Sequence, residues 1–129
     1  MDEVVQSDMS LLRDPGFGSA RTVFLAQVME GDWVAKRIRI VGKVKNCHHD
    51  ELLLEQCGME FLVRIRGPYH NEDRTHLFIE VMGEVTQNGR ERMEMDGYLF
   101  RGLNNFNWEL YQLALQRRQQ FLRAVEGSP

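Results

Sequence analysis

The chain has 129 residues, 43% of them hydrophobic and 27% charged, with a formal net charge of −3 at pH 7. That length suits one domain with a buried core, and the absence of any run of about 18 apolar residues excludes a membrane-spanning helix. The acidic balance argues against a protein that coats polyanions generically, although a local basic face is compatible with an acidic whole.

Residues 1–18 read as a flexible N-terminal arm that closes on the turn cluster Asp14-Pro15-Gly16-Phe17-Gly18. Met1-Asp2-Glu3-Val4-Val5 lacks the basic and apolar regions of a secretory signal, so an intracellular location is the expectation. From Ser19, the run Arg21-Thr22-Val23-Phe24-Leu25-Ala26-Gln27-Val28-Met29 carries apolar residues at helix-like spacing and stops at Gly31-Asp32. This predicts a short helical or irregular lead-in.

The first clear strand spans residues 36–46, with Ile38, Ile40, Gly42 and Val44 on one side and Arg37, Arg39, Val41, Lys43 and Lys45 on the other. Cys47-His48-His49-Asp50 is the following turn. Residues 51–56 form a short apolar strand ending at Cys57-Gly58, and residues 59–66 a third, with Phe61, Val63 and Ile65 inward. After the polar connection 67–74, residues 76–86 alternate again, with Leu77, Ile79, Val81, Gly83 and Val85 on the core side. Gln87-Asn88-Gly89-Arg90 carries the Asn-Gly signal of a hairpin. A fifth strand, 93–103, has a weaker pattern built on Met93, Met95, Tyr98 and Phe100. A helix follows over 104–126, with Asn105 or Asn107 as N-cap and Gly127 as terminator.

The chain is therefore read as all-β with a C-terminal helix. Mid-strand Gly42 and Gly83 suit strongly coiled strands, which favours a small five-stranded barrel of the OB type over residues 19–103, lead-in included. An open α+β sandwich with the helix on one sheet face is the competing architecture.

Little in the chain suggests catalysis. No nucleophile-elbow serine, P-loop or paired acidic motif occurs, so no enzyme and no cofactor is expected. Cys47 and Cys57 lack C-x-x-C spacing, and a strand between them would hold them about 20 Å apart, too far for a disulfide or a shared metal. They read as free thiols, with His48 and His49 as turn residues and no metal site.

The informative element is the terminal helix. Leu110, Ala114 and Phe121 fall on one line, Tyr111, Leu115 and Leu122 on a second, and Leu113 widens the band, as does Val125. A helix docking only on its own domain needs one stripe about 100° wide, so this one predicts a partner. Arg37, Arg39, Lys43 and Lys45 on the first strand and Arg64 and Arg66 on the third form a weaker nucleic-acid candidate, because OB barrels bind single strands with cations and stacked aromatics. Outward aromatics are sparse, and Glu80 and Glu84 on the fourth strand can pair with those cations across strands.

Several strings taken in order resemble one family. Phe24-Leu25-Ala26-Gln27-Val28, Ile40-Val41-Gly42-Lys43-Val44, Phe78-Ile79-Glu80-Val81-Met82-Gly83-Glu84-Val85 and Asn105-Phe106-Asn107-Trp108-Glu109-Leu110-Tyr111-Gln112-Leu113-Ala114 resemble segments of the smallest subunit of replication protein A, the eukaryotic heterotrimer that binds single-stranded DNA. The resemblance spans residues 20–120, while the arm 1–18 and the tail after Phe121 match nothing in it. It implies an OB barrel in the nucleus that serves DNA replication, repair and recombination. It further implies two larger OB-fold subunits bound through the C-terminal helix, with single-stranded DNA held mainly by the complex and no membrane involved. Leu110, Tyr111, Leu113, Ala114 and Leu115 are the matched helix positions, and Phe121 and Leu122 extend the same faces by spacing. The small OB subunit of the telomeric CST complex, which pairs with one larger partner, is the alternative. An autonomous nucleic-acid-binding module is the third reading.

Overall fold

The computed structural model describes residues 20–89 and 92–126. The expected arm 1–18, residue 90 of the Asn-Gly turn with residue 91 after it, and the expected helix terminator Gly127 lie outside the described residues. The elements are β1 (Arg21–Thr22), α1 (Leu25–Glu30), β2 (Arg37–Cys47), β3 (Glu51–Gln56), β4 (Met59–Ile65), α2 (Asn71–Arg74), β5 (Phe78–Gln87), β6 (Arg92–Leu103) and α3 (Trp108–Glu126).

The strands follow the order β1-β2-β3-β4-β6-β5, and β5 pairs back onto β2. That last pairing runs antiparallel from Arg37↔Glu84 to Lys43↔Phe78. It closes the sheet into a five-stranded barrel with one short extra strand, and an open sandwich does not form. β4 and β6 are the parallel pair, from Glu60↔Arg92 to Ile65↔Gly97. The barrel carries the OB order of strands, and the C-terminal helix lies outside it.

The inward residues are those the alternation predicts. Ile38, Ile40, Leu52, Leu54, Phe61, Val63, Ile79, Val81, Met93 and Met95 are fully or almost fully buried. Burial of this kind, at about 25 cal/mol per Å², is what drives the barrel to close. Gly42 is needed inside it, since a Cβ there would sit 3.0 Å from the Leu54 Cβ and 3.1 Å from the Phe61 ring. Gly83 sits at a register shift opposite Gly97, where a Cβ would strike the Asp96 carbonyl. The same shift explains the weak pattern of the fifth strand. Met82 pairs with Leu99 and Gly83 with Gly97, so the register skips Tyr98, which turns outward at 40% exposure while Phe100 returns to the core.

The lead-in resolves into two pieces. Arg21 and Thr22 pair in parallel with Ile38 and Arg39, and Val23 donates to the Arg39 carbonyl at 3.1 Å. The chain then turns into α1, whose Gln27 side chain accepts from the Phe24 N–H at 2.9 Å, tying off the first turn. Leu25 and Val28 are fully buried and plug one end of the barrel. Buried Gln56 locks this plug in place. Its Oε1 accepts from the Leu25 N–H at 2.7 Å and its Nε2 donates to the Val41 carbonyl at 2.8 Å.

Two local differences from the sequence reading have simple causes. Leu77 precedes β5 and is 57% exposed, although its carbonyl still accepts from Val44 N–H at 2.8 Å. The polar connection holds the single turn α2, whose neighbour Tyr69 is buried and stacks on Phe100 at 4.6 Å under the Arg74 guanidinium. The tight hairpin between β3 and β4 uses Cys57 and Gly58, both at positive φ (52° and 80°), as a two-residue turn of this hand requires.

Gln56→Ala strands the Leu25 N–H and the Val41 carbonyl in the interior, at about 1–3 kcal/mol each, and the midpoint of urea unfolding should fall to match. Tyr69 offers a second check. Burial, with a smaller contribution from Cys47, pushes its phenol up to about 12 from an ordinary value of 10.0. A group that holds its proton more tightly when folded contributes stability that is complete below about pH 10 and lost as pH rises toward 12. Of the three tyrosines, one should therefore ionise last in a spectrophotometric titration, with unfolding favoured over that same interval.

Candidate partner-docking surface

Helix α3 begins where Asn107 caps it, its Oδ1 accepting from the Leu110 N–H at 3.1 Å. Asn107 rather than Asn105 takes this role, because Asn105 sits at a φ of 50° one step earlier, in the turn that reverses the chain after β6. An aromatic cluster then pins the helix to the barrel. Phe106 lies 4.9 Å from Phe78 and 5.4 Å from Tyr111, Trp108 stacks on Tyr111 at 5.6 Å, and Phe24 meets Trp108 edge-on at 6.4 Å. Further along, Leu115 is only 4% exposed. Gln119 and Gln27 exchange amide hydrogen bonds at 2.8 and 3.2 Å, and Gln119 Nε2 also reaches the Thr22 carbonyl at 3.5 Å.

These contacts show which surface the helix covers. Phe78 is the outward register partner of Lys43, and Thr22 is the register partner of Arg39. The helix is thus anchored beside both ends of the β2–β5 pairing, and residues that alternate away from the core there are nonetheless buried. Arg39 is 3% exposed, Glu80 6%, and Val41 and Met82 1% each. Glu80 also pairs with Arg101 at 3.4 Å.

The seven helix residues singled out in the sequence are therefore divided. Tyr111 and Leu115 face the chain's own barrel, and Leu122 lines a cleft between α3 and the lead-in together with Thr22, Val23, Trp33 and Gln119. Leu110, Leu113, Ala114 and Phe121 point the other way and are exposed. Their exposure is large: 63% for Leu110, 44% for Leu113 and 66% for Phe121. Leu122, at the rim of that cleft, is 38% exposed, and the other large apolar side chains exposed among the described residues, Val34, Leu77 and Tyr98, are scattered. Singly exposed apolar residues are ordinary on a protein surface, whereas a row of them along one helix face is a candidate docking surface.

The basic candidates are also sorted by the structure. Arg39 is buried. Lys45 pairs with Glu55 at 3.3 Å, Arg64 with Glu94 at 2.7 Å and Arg66 with Asp96 at 3.2 Å. Arg37 stands directly opposite Glu84 in the ladder. Lys43 is exposed and stands opposite Glu55 in the β2–β3 ladder, with no ion pair within 4 Å among the described residues. It borders a shallow recess of about 250 Å³ with Phe78, Trp108 and Cys57. Most of the sheet's outer cations are thus matched by acids, and the charge pattern is not a continuous basic groove of the kind that tracks a phosphate backbone.

Sequence reasoning missed the Phe78–Phe106–Trp108–Tyr111 cluster and the burial of Arg39 and Glu80. The spacing of aromatics around Asn107 was the available signal for the first, since only a helix folded back on β5 brings them together. The two cysteines are exposed free thiols. Among the described residues, no three metal-ligating side chains lie together and no helix is long and apolar enough to cross a membrane.

Neither a protein-family model nor a curated protein sequence matches the chain. Solved structures do match. The telomere capping protein Ten1 from S. pombe superposes with a TM-score of 0.62 at 16% identity, over 78% of this chain and 98% of that one. Replication protein A of U. maydis, bound to single-stranded DNA, gives 0.64 at 20% identity, over 79% and 91%. The S. pombe Stn1–Ten1 complex gives 0.59 at 15%, over 78% and 92%. At these identities the likeness is one of fold, and the fold is the OB barrel with a C-terminal helix.

The two sides of α3 should respond differently to charge. Leu115→Asp buries an uncompensated carboxylate and removes apolar packing, at a cost of about 3 kcal/mol or more. Leu113→Asp and Phe121→Asp should leave stability within about 0.5 kcal/mol of the parent. Thermal unfolding followed by circular dichroism compares them.

Proposed function

We propose that this chain is a small, non-enzymatic structural subunit of a heteromeric assembly that binds single-stranded DNA, attached to a larger OB-fold subunit through the outward stripe of α3. The observation that carries this reading is the exposed row Leu110, Leu113 and Phe121 on a helix whose opposite side already buries Leu115. The charge-matched sheet face supports a scaffold more than an autonomous DNA-binding module, because a polyanion there must displace existing carboxylate partners. The neighbours in fold are of the same kind: one is replication protein A on single-stranded DNA, another is Ten1 in complex with Stn1.

Within that class, the ordered strings shared with the small subunit of replication protein A favour a nuclear heterotrimer serving replication, repair and recombination. The near-complete coverage of Ten1, 98% of its length, favours the second reading, a telomeric complex with one larger partner.

Affinity purification of the tagged full-length chain at native expression level separates these outcomes. The expected result is co-purification with larger OB-fold chains in equal amounts, two for the replication complex and one for the telomeric complex. Phe121→Asp should weaken that association by about tenfold or more. The isolated chain should bind an oligonucleotide weakly and lose even that with added salt. A chain that purifies alone and binds single-stranded DNA tightly by itself would refute the proposal.

A further inference from the structure

The outward stripe of α3 is not uniformly apolar. At about 100° per residue, Leu110, Leu113, Ala114, Arg117 and Phe121 fall within an arc roughly 100° wide. Arg117 occupies the centre of that arc, four positions after Leu113 and four before Phe121. It is exposed and makes no ion pair among the described residues. From Leu110 to Ala124 the helix has no acidic residue at all, and its charges are Arg117, Arg118 and Arg123. Whatever covers Leu113 and Phe121 must also cover the guanidinium between them.

Resting on the docking role assigned above to this stripe, we propose that Arg117 determines which chain can dock. It admits an amphipathic helix of another protein that presents an Asp or Glu at the matching level, and it rejects a second copy of this chain. The rejection follows from symmetry. A two-fold antiparallel pairing of two α3 helices through this face is centred on position 117, midway between Leu113 and Phe121, so Arg117 meets Arg117. A parallel in-register pairing has the same result. Two guanidiniums pressed together while losing water to apolar neighbours oppose association. A carboxylate in their place makes a planar two-point pair with one of them. A single polar residue in an otherwise apolar helix seam is a known way to select partner and register at some cost in strength.

The chain itself supplies the probes. Sedimentation of the full-length protein is compared for the parent, Arg117→Leu, Arg117→Glu, and an equimolar mixture of parent and Arg117→Glu. The parent and Arg117→Glu alone should stay monomeric to about 100 μM, whereas Arg117→Leu should self-associate at least about tenfold more tightly. The mixture should form a one-to-one dimer that disappears when Phe121→Asp is added to both chains. Thermal unfolding confirms that each variant is folded, as expected for changes at an exposed position. A parent that dimerises through Phe121 as tightly as Arg117→Leu overturns the inference. So does a mixture that remains monomeric, an Arg117→Leu variant that does not associate, or association that survives Phe121→Asp. None of these outcomes decides the docking role itself, which the co-purification of larger subunits and its loss in Phe121→Asp decide separately.

Discussion

The antiparallel pairing of β2 with β5 closes the sheet on itself, and a closed sheet has no long edge left to recruit another strand. Any partner must then be met by side chains on the outside of the barrel or by elements appended to it. The seam also dictates where the appended helix lies. Phe78 stands outward at one end of the pairing and Thr22 docks beside Arg39 at the other, so Phe106 and Gln119 take hold at two points along one line. Along the seam the Glu80 carboxylate is buried beside Arg101. A buried ion pair of this kind is weak evidence for stability, since desolvation offsets much of the attraction.

The alternation of residues 36–46, 59–66 and 76–86 was enough to read the barrel strands and their inward faces, because a period of two has only one phase that puts Ile38, Phe61 and Ile79 together. The fifth strand was harder to read for a physical reason. The register shift opposite Gly83 inserts Tyr98 as an extra residue, and the alternation changes phase in mid-strand. The helix was legible in its excess of apolar surface, although it begins at Trp108 and not at 104, and its two faces were not separable by sequence. Leu115 and Phe121 are alike in type, and which of them turns toward the barrel depends on where Phe106 and Trp108 land on Phe78 and Phe24, a long-range fact. Arg39 was misplaced for the same reason. Its alternation is outward, and only the return of the chain over β2 makes outward mean buried.

The charges on the rest of the barrel bear on what the surface is for. Lys45, Arg64 and Arg66 each have an acidic partner, with side chains one-fifth to one-half exposed. Such pairs stabilise a fold by about 1 kcal/mol or less. Their larger consequence is for binding, since a phosphate backbone gains little from a cation already engaged, and less counterion release follows. On the proposed reading, such a barrel sits inside an assembly whose other members hold the nucleic acid.

The division of α3 into two faces lets folding and assembly use separate sets of residues. Tyr111, Leu115 and Gln119 secure the helix to its own barrel, so the outward row does not need a partner in order to be presented as a helix. That pre-organisation matters energetically, because a segment that must fold as it binds loses part of its interaction energy to ordering. The outward face can then be less apolar than a core seam and still bind, and it has room for a charged residue at its centre. A stripe of leucines alone in that position would attract any apolar helix, including its own copy. Interrupting it with Arg117 sacrifices some strength for choice of partner, a trade that a rigidly presented helix tolerates and a floppy one does not.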